Sequence, residues 1–324
     1  MTSLINKRIV VTGGAGFLGS HLITALLKTS CFEGELRKNL ITPRSAQYDL
    51  TTEKGVYALY QETYPDIIIH LAAVVGGIGA NRQHPGTFYY KNLIMGALMI
   101  DYARRGGHEK FVAIGTICSY PKFAPTPFRE ESLWDGYPEE TNAPYGIAKK
   151  GMLVQLQAYR QEFGFNGIYL LPVNLYGPGD NFNPNSSHVI PALIKKCIEA
   201  RESGAASITC WGTGSATREF LYVTDAADSI VAATRLYDGV EPVNIGSGSE
   251  ISIFDLVHLI AKLTGFNGDI EWDPSQPDGQ PRRLLDTSRA KKEFQWEATT
   301  KLKDGLRQTI DWYEMARQTN AASN

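Results

Sequence analysis

The chain reads as an α/β protein, a doubly wound parallel sheet followed by a smaller C-terminal α/β domain. Three observations predict this. Apolar runs of strand length alternate with stretches of helical periodicity through the first half. The runs are continuously apolar, as expected of parallel strands covered on both faces. A glycine-rich turn joins the first strand to the first helix, which is how a parallel sheet begins a crossover at a strand's carboxyl end.

The elements follow in order. "RIVVT" (8–12) is the first strand, and "FLGSHLITALLK" (17–28) is the first helix, with apolar residues at helical spacing. Strands follow at "LIT" near 40 and "DIIIHLAA" (66–73), then a helix at about 88–105 and a strand at "FVAIGT" (111–116). "YGIAKKGMLVQLQAYRQEF" (145–163) is a helix that leads into the strand "GIYLLPVNL" (167–175). The next stretch, "YGPGDNFNPNSSH" (176–188), is rich in Gly, Pro, Asn and Ser and reads as a loop. It divides the chain into a Rossmann-like domain at 1–175 and a substrate domain at 176–324. "REFLYVTD" (218–225) and "PVNIGSG" (242–248) read as strands between helices, so a return to the first domain is expected around 218–245. Helices are expected at "DLVHLIAKLTG" (255–265) and "LKDGLRQTIDWYEMARQ" (302–318), with the final "QTNAASN" frayed.

Composition narrows the function. With 43% hydrophobic and 20% charged residues the 324-residue chain has ordinary globular usage. A net charge of -2 supports neither a nucleic-acid nor a membrane partner, so an anionic ligand has to be met by a few placed Arg and Lys. No apolar stretch reaches the roughly 18 residues of a membrane span. Cys31, Cys118, Cys197 and Cys210 have no metal-ligand spacing, so no metal is expected. They read as reduced thiols of a cytoplasmic protein.

"TGGAGFLG" (12–19) sets Gly13, Gly16 and Gly19 between a strand and a helix start. Together with Gly14, Ala15, Phe17 and Leu18 they form a turn that lets a pyrophosphate approach the backbone and the helix N-terminus. An NAD site needs an acid at the end of the second strand. "LITPRSAQYDL" offers Arg44 there instead, which suits the 2′-phosphate of NADP. "PYGIAKK" places Tyr145 and Lys149 four residues apart on one helix face. The lysine is expected to lower the tyrosine's pKa and so prepare it for proton exchange with a carbonyl or alcohol oxygen. Thr116 follows the preceding strand and supplies a second hydroxyl.

GxxGxxG, a hydroxyl residue after the fourth strand and YxxxK together resemble the extended short-chain dehydrogenase/reductase superfamily. More narrowly, "VVGGIGANRQHP", "GTICSYPKF", "TNAPYGIAK", "NLYGPGDNFNPNSSHVIPALI", "WGTGSATREFLYV" and "PDGQPRRLLD" resemble the GDP-L-fucose synthases. That resemblance implies an NADPH-dependent homodimer, joined through the helices near 88–105 and 145–163. Its substrate would be a GDP-sugar, GDP-4-keto-6-deoxy-D-mannose, epimerised at C3 and C5 and reduced at C4. Cys118 would be the base and His188 the acid of the epimerisations, with Tyr145, Lys149 and Thr116 serving the reduction. Ala72, Pro172, Asn174, Leu175 and His188 would lie along the cofactor. Asn174, Lys196, Trp211, Arg218 and Asp278 would hold the nucleotide sugar.

Thr116 and Ile117 stand where the family often has serines, and Lys196 replaces an arginine of some relatives. Thr116 keeps its hydroxyl, and Ile117 is expected in the core. Taken alone, Cys118 reads as a small buried apolar residue, Arg218 as a diphosphate partner or as paired with Glu219 or another internal acid, and Trp211 as either a stacking platform or core packing. Other readings of the reaction are a GDP-colitose synthase, a simple 4-reductase and a 4-epimerase. The last two have no use for a Cys118–His188 pair.

Overall fold

The structure, a computed structural model, describes residues 1–29, 38–184, 186–276 and 278–322. Cys31 and Asn185 lie outside the described residues. The first half alternates β1 (Ile9–Thr12), α1 (Phe17–Lys28), β2 (Leu40–Ile41), α2 (Glu53–Thr63) and β3 (Ile67–His70). It continues with α3 (Ile78–Gln83), α4 (Pro85–Arg105), β4 (Lys110–Ile114), α5 (Ala143–Phe163) and β5 (Gly167–Pro172). β1, β3 and β4 are buried along their whole length, which is why their sequences do not alternate. α5 has Pro144 in its first turn, where a missing N–H costs nothing, and ends on Gly164 at φ 67°.

The second half begins with β6 (Asn174–Tyr176), α6 (Val189–Ser203), β7 (Ser207–Trp211) and β8 (Thr217–Tyr222). It continues with α7 (Val223–Leu236), β9 (Val243–Ile245), β10 (Glu250–Ser252) and α8 (Ile253–Thr264). The last elements are β11 (Asp269–Asp273), β12 (Arg282–Arg283), α9 (Ser288–Phe294) and α10 (Leu302–Ala322).

The main sheet has the order β2-β1-β3-β4-β5-β9, with every pairing parallel. Its helices form two layers: α1 packs with α7, and α2 and α5 pack with α4. A smaller sheet, β10-β8-β12, also pairs β6 in parallel with β8, and β7 pairs with β11. There are two apolar cores. One surrounds the main sheet and draws on both halves, with Ile230, Ile245 and Leu285 among its members, and the other gathers residues such as Tyr176, Ile194, Phe220, Ile260 and Ile310.

Three segments differ from the expected elements. "GIYLLPVNL" is two strands, because the chain leaves the main sheet after Pro172 and joins β8 from Asn174 onward. Residues 218–222 pair within the smaller sheet, and the strand ends at Tyr222, where α7 takes over. α7 and β9 then carry the chain back to the main sheet. The C-terminal helix continues through Ala322 instead of fraying after 318.

Candidate active site

In an open parallel sheet, ligands bind beyond the carboxyl ends of the strands, where the strand order reverses. Here the reversal lies between β1 and β3, and a cleft of about 1820 Å³ opens there and runs toward the smaller sheet. Gly13 begins the turn after β1 at φ 71°, a left-handed conformation suited to glycine. A Cβ on Gly13 would lie 2.9 Å from Ala72 N, and one on Gly19 would strike Gly13 O and the Gly14 backbone. The loop thus needs glycine both to turn and to let α1 come close. Gly13, Ala15, Gly16, Phe17, Leu18 and Gly19 line the cleft. Gly14 is the exception: it is buried against Thr42 and Val11 O. Arg44 and Ala72 line the same region, Arg44 as an exposed side chain just past β2.

The reaction centre assembles where α5 crosses the turn after β4. Thr116 Oγ1 accepts a hydrogen bond from Cys118 N at 3.2 Å and so caps a single turn over Ile117–Ser119. Ser119 Oγ donates to Gly146 O at 2.9 Å, and a Cβ on Gly146 would strike Cys118 O. Glycine at 146 therefore lets Tyr145 sit beside the cysteine turn. Ile117 is buried in the main core, while Cys118 is half-buried and lines the cleft with Thr116, Tyr145 and Lys149. Tyr169 OH donates to Lys149 O at 3.0 Å, which ties α5 to β5.

Burial dominates the electrostatics. It lowers the Lys149 ammonium to about 8. Burial, followed by the nearby Cys118, raises the Tyr145 phenol above its ordinary value. The expected lowering of the tyrosine by the lysine is therefore not what the free cleft displays, where burial raises the phenol and lowers the ammonium. His70, which pairs with Thr12 Oγ1 at 2.8 Å, is held neutral by burial and so plays a structural part.

The opposite wall comes from the second half. His188 immediately precedes α6; it is exposed to the cleft, yet enough protein surrounds it for desolvation to lower its imidazole pKa. Pro172, Asn174 and Leu175 line the passage where the chain changes sheets, and Asn174 Nδ2 donates to Glu219 O at 3.1 Å. Lys196 Nζ donates to Thr209 O. Trp211 is 65% exposed on the cleft wall, which excludes the core-packing alternative and leaves its ring free to stack. Asp278 accepts from Thr213 N and Thr213 Oγ1, both at 2.8 Å, and so fixes the loop after Trp211.

Arg218 and Glu219 point to opposite faces of β8. Glu219 accepts from Leu285 N and Gly248 N, while Arg218 donates to Thr217 O and to Asp278 O. Burial, then the charge of Arg283, lowers Arg218 to about 10. Arg283 is the residue that the sequence motifs did not single out. It lines the cleft, and its Nη1 donates to Cys118 Sγ at 3.7 Å. No local spacing could have linked two residues 165 positions apart. Among the described residues no cluster could hold a metal ion, and no helix is long and apolar enough to cross a membrane.

A glycine turn over a parallel sheet, opening into the same cleft as a buried tyrosine–lysine pair, defines a dinucleotide-dependent enzyme of the extended short-chain dehydrogenase/reductase class. The chain belongs to the NAD dependent epimerase/dehydratase family, whose model matches residues 9–246. It is 42% identical over 311 residues to a Sinorhizobium fredii protein named GDP-L-fucose synthase, covering 96% of each chain. It is 41% identical over 307 residues to a probable GDP-L-fucose synthase 1 of Oryza sativa subsp. japonica, covering 94% of this chain and 92% of the rice protein. A solved GDP-L-fucose synthetase of Naegleria fowleri bound to NADP superposes with a TM-score of 0.85 at 25% identity, over 98% of this chain and 97% of that one.

Proposed function

We propose that the protein is a GDP-L-fucose synthase, which inverts C3 and C5 of GDP-4-keto-6-deoxy-D-mannose and reduces C4 with NADPH. The observation that carries this reading is one cleft lined by Cys118 and His188 as well as by Tyr145 and Lys149. A plain reductase needs only the second pair.

The chain fits the cofactor. A side chain at Gly13 would strike the backbone at Leu71 and Ala72, so glycine keeps the loop in place where a pyrophosphate would lie, and Arg44 offers its guanidinium where a 2′-phosphate would be met. Gly13, Gly16 and the start of α1 would hold the phosphates, and Lys149 the nicotinamide ribose, with Ala72, Pro172, Leu175 and His188 alongside. When bound, NADPH supplies two electrons and a hydrogen to C4.

The C4 carbonyl makes the protons at C3 and C5 acidic, because loss of either leaves an enolate delocalised onto O4. The Cys118 thiolate removes the proton from one face, and the His188 imidazolium returns one to the other, which inverts the carbon. Exchange with solvent resets the pair before the second inversion. Thr116 and Tyr145 stabilise the enolate oxygen by donating hydrogen bonds. At reduction Tyr145 gives its proton to O4. A phenol kept protonated by burial is suited to that step, and Lys149 then stabilises the phenolate that remains. Arg218 and Lys196 bind the diphosphate, Trp211 stacks on a ring, and Asn174 and Asp278 hold the nucleotide sugar.

The same reading makes the enzyme a cytoplasmic homodimer joined through α4 and α5, which expose Tyr89, Tyr90, Val154 and Phe163. The test of the reaction is incubation with GDP-4-keto-6-deoxy-D-mannose and NADPH in heavy water. Deuterium at both C3 and C5 of a GDP-fucose product is expected. Reduction without inversion would refute the assignment of Cys118 and His188.

A further inference from the structure

The segment that begins at Asp278 is fastened to the cysteine turn by one buried side chain. Gln280 Nε2 donates to Lys122 O at 2.7 Å and to Pro121 O at 3.4 Å, just beyond Cys118. Its Oε1 accepts from Arg283 Nε at 3.0 Å. Held at Nε, the guanidinium directs Nη1 at Cys118 Sγ, 3.7 Å away. Arg218 and the Tyr145 phenol also act electrostatically with this sulfur.

Only a thiolate can take a proton from carbon. A neutral thiol accepts hydrogen bonds weakly, whereas a thiolate accepts a charge-assisted one, so a fixed guanidinium favours the ionised form. Arginine remains charged at any working pH, so the bias does not lapse as pH falls. We propose that Arg283, oriented by Gln280, is the positioning residue that holds Cys118 as a thiolate facing the cleft. Its part in catalysis rests on the reading of Cys118 as the base.

The test is alkylation of Cys118 by iodoacetamide in the full chain without substrate, followed by peptide mass spectrometry from pH 6 to 9.5. In Arg283→Gln the rate at pH 7 is expected to fall about tenfold. Arg283→Lys retains the charge and is expected to stay within about threefold of the wild type. Gln280→Leu removes the hold on the guanidinium together with the bonds to Pro121 O and Lys122 O, and is expected to give a loss of about threefold. NADPH binding, followed by fluorescence, checks that each variant is folded. An unchanged alkylation profile in folded Arg283→Gln overturns the proposal, as does Arg283→Lys reacting as slowly as Arg283→Gln. Alkylation needs no sugar, so an Arg283-dependent profile without exchange at C3 and C5 would overturn only the proposed function. Normal exchange with an unchanged profile would overturn only this inference.

Discussion

Replacing Lys149 with methionine should abolish reduction and, at neutral pH, make the free protein more stable. Lys149 is 2% exposed, and burial lowers its pKa from 10.5 to about 8. That drop corresponds to roughly 3 kcal/mol against carrying the charge in the folded state. The sign follows from proton binding. Between pH 8 and 10.5 the unfolded chain binds more protons at this site, so stability rises with pH across the window. Below pH 8 the full penalty applies. Methionine has similar length and no charge, so Lys149→Met removes the penalty where it is largest. A 324-residue chain has an unfolding entropy near 0.7 kcal/mol per kelvin, so the variant should melt about 4 °C higher at pH 7. Near pH 10.5 the increment should shrink toward zero. Calorimetry of both proteins without ligand at pH 7 and pH 10 measures this, and taking the difference cancels the tyrosines common to both. A variant that melts no higher than wild type at pH 7, or by the same increment at both pH values, would refute the claim that the free site carries a buried charge.

Cys118→Ser should slow deuterium entry at C3 and C5 by about 10²–10⁴, as measured by NMR in heavy water. Tyr145→Phe should stop NADPH oxidation, followed at 340 nm, and slow the exchange less than Cys118→Ser does, because Thr116 still donates to the enolate oxygen. Arg44→Ala should weaken NADPH binding at least about tenfold and leave NADH binding unchanged, which titration of cofactor fluorescence tests. Glu219 is fully buried, with Gly248 N and Leu285 N donating to different carboxylate oxygens. Glu219→Gln puts an amide N–H₂ against one of those donors and should cost about 1–3 kcal/mol, read from the urea midpoint.

What could be read from the sequence depended on how far apart the cooperating residues lie. The strands of the main sheet are plain in Ile9–Thr12, Ile67–His70 and Lys110–Ile114, because burial on both faces demands unbroken apolar runs. The glycine turn and the Tyr145–Lys149 helix are also local, each one turn of chain. "GIYLLPVNL" misled because a change of sheet at Val173 leaves no mark in hydrophobicity: β5 and β6 are equally strand-like and differ only in their partners. Arg283 was hidden for a related reason. It looks like any arginine of a polar loop until Gln280 and Pro121 bring it over the cysteine. The tyrosine's proton affinity was misjudged because a helical spacing conveys the neighbour's charge but not the desolvation.

The charges of the cleft contrast with those of the whole chain. The net charge is -2, yet Lys149, Lys196, Arg218, Arg283 and Arg44 line the cleft and outnumber the acids Asp49, Glu199 and Asp278 there. Arg218 donates to carbonyl oxygens and not to a carboxylate, and burial has lowered both it and Lys149. Groups in this state gain most from an anion, because binding one relieves desolvation and repulsion together. On the proposed reading, the substrate's diphosphate would be met by Arg218, while Arg283 lies against Cys118 Sγ. An anion in that site would then relieve the repulsion between Arg218 and Arg283 and leave Arg283 to Cys118. On that reading, binding energy from the nucleotide end, far from C3 and C5, becomes available to proton transfer at the sugar.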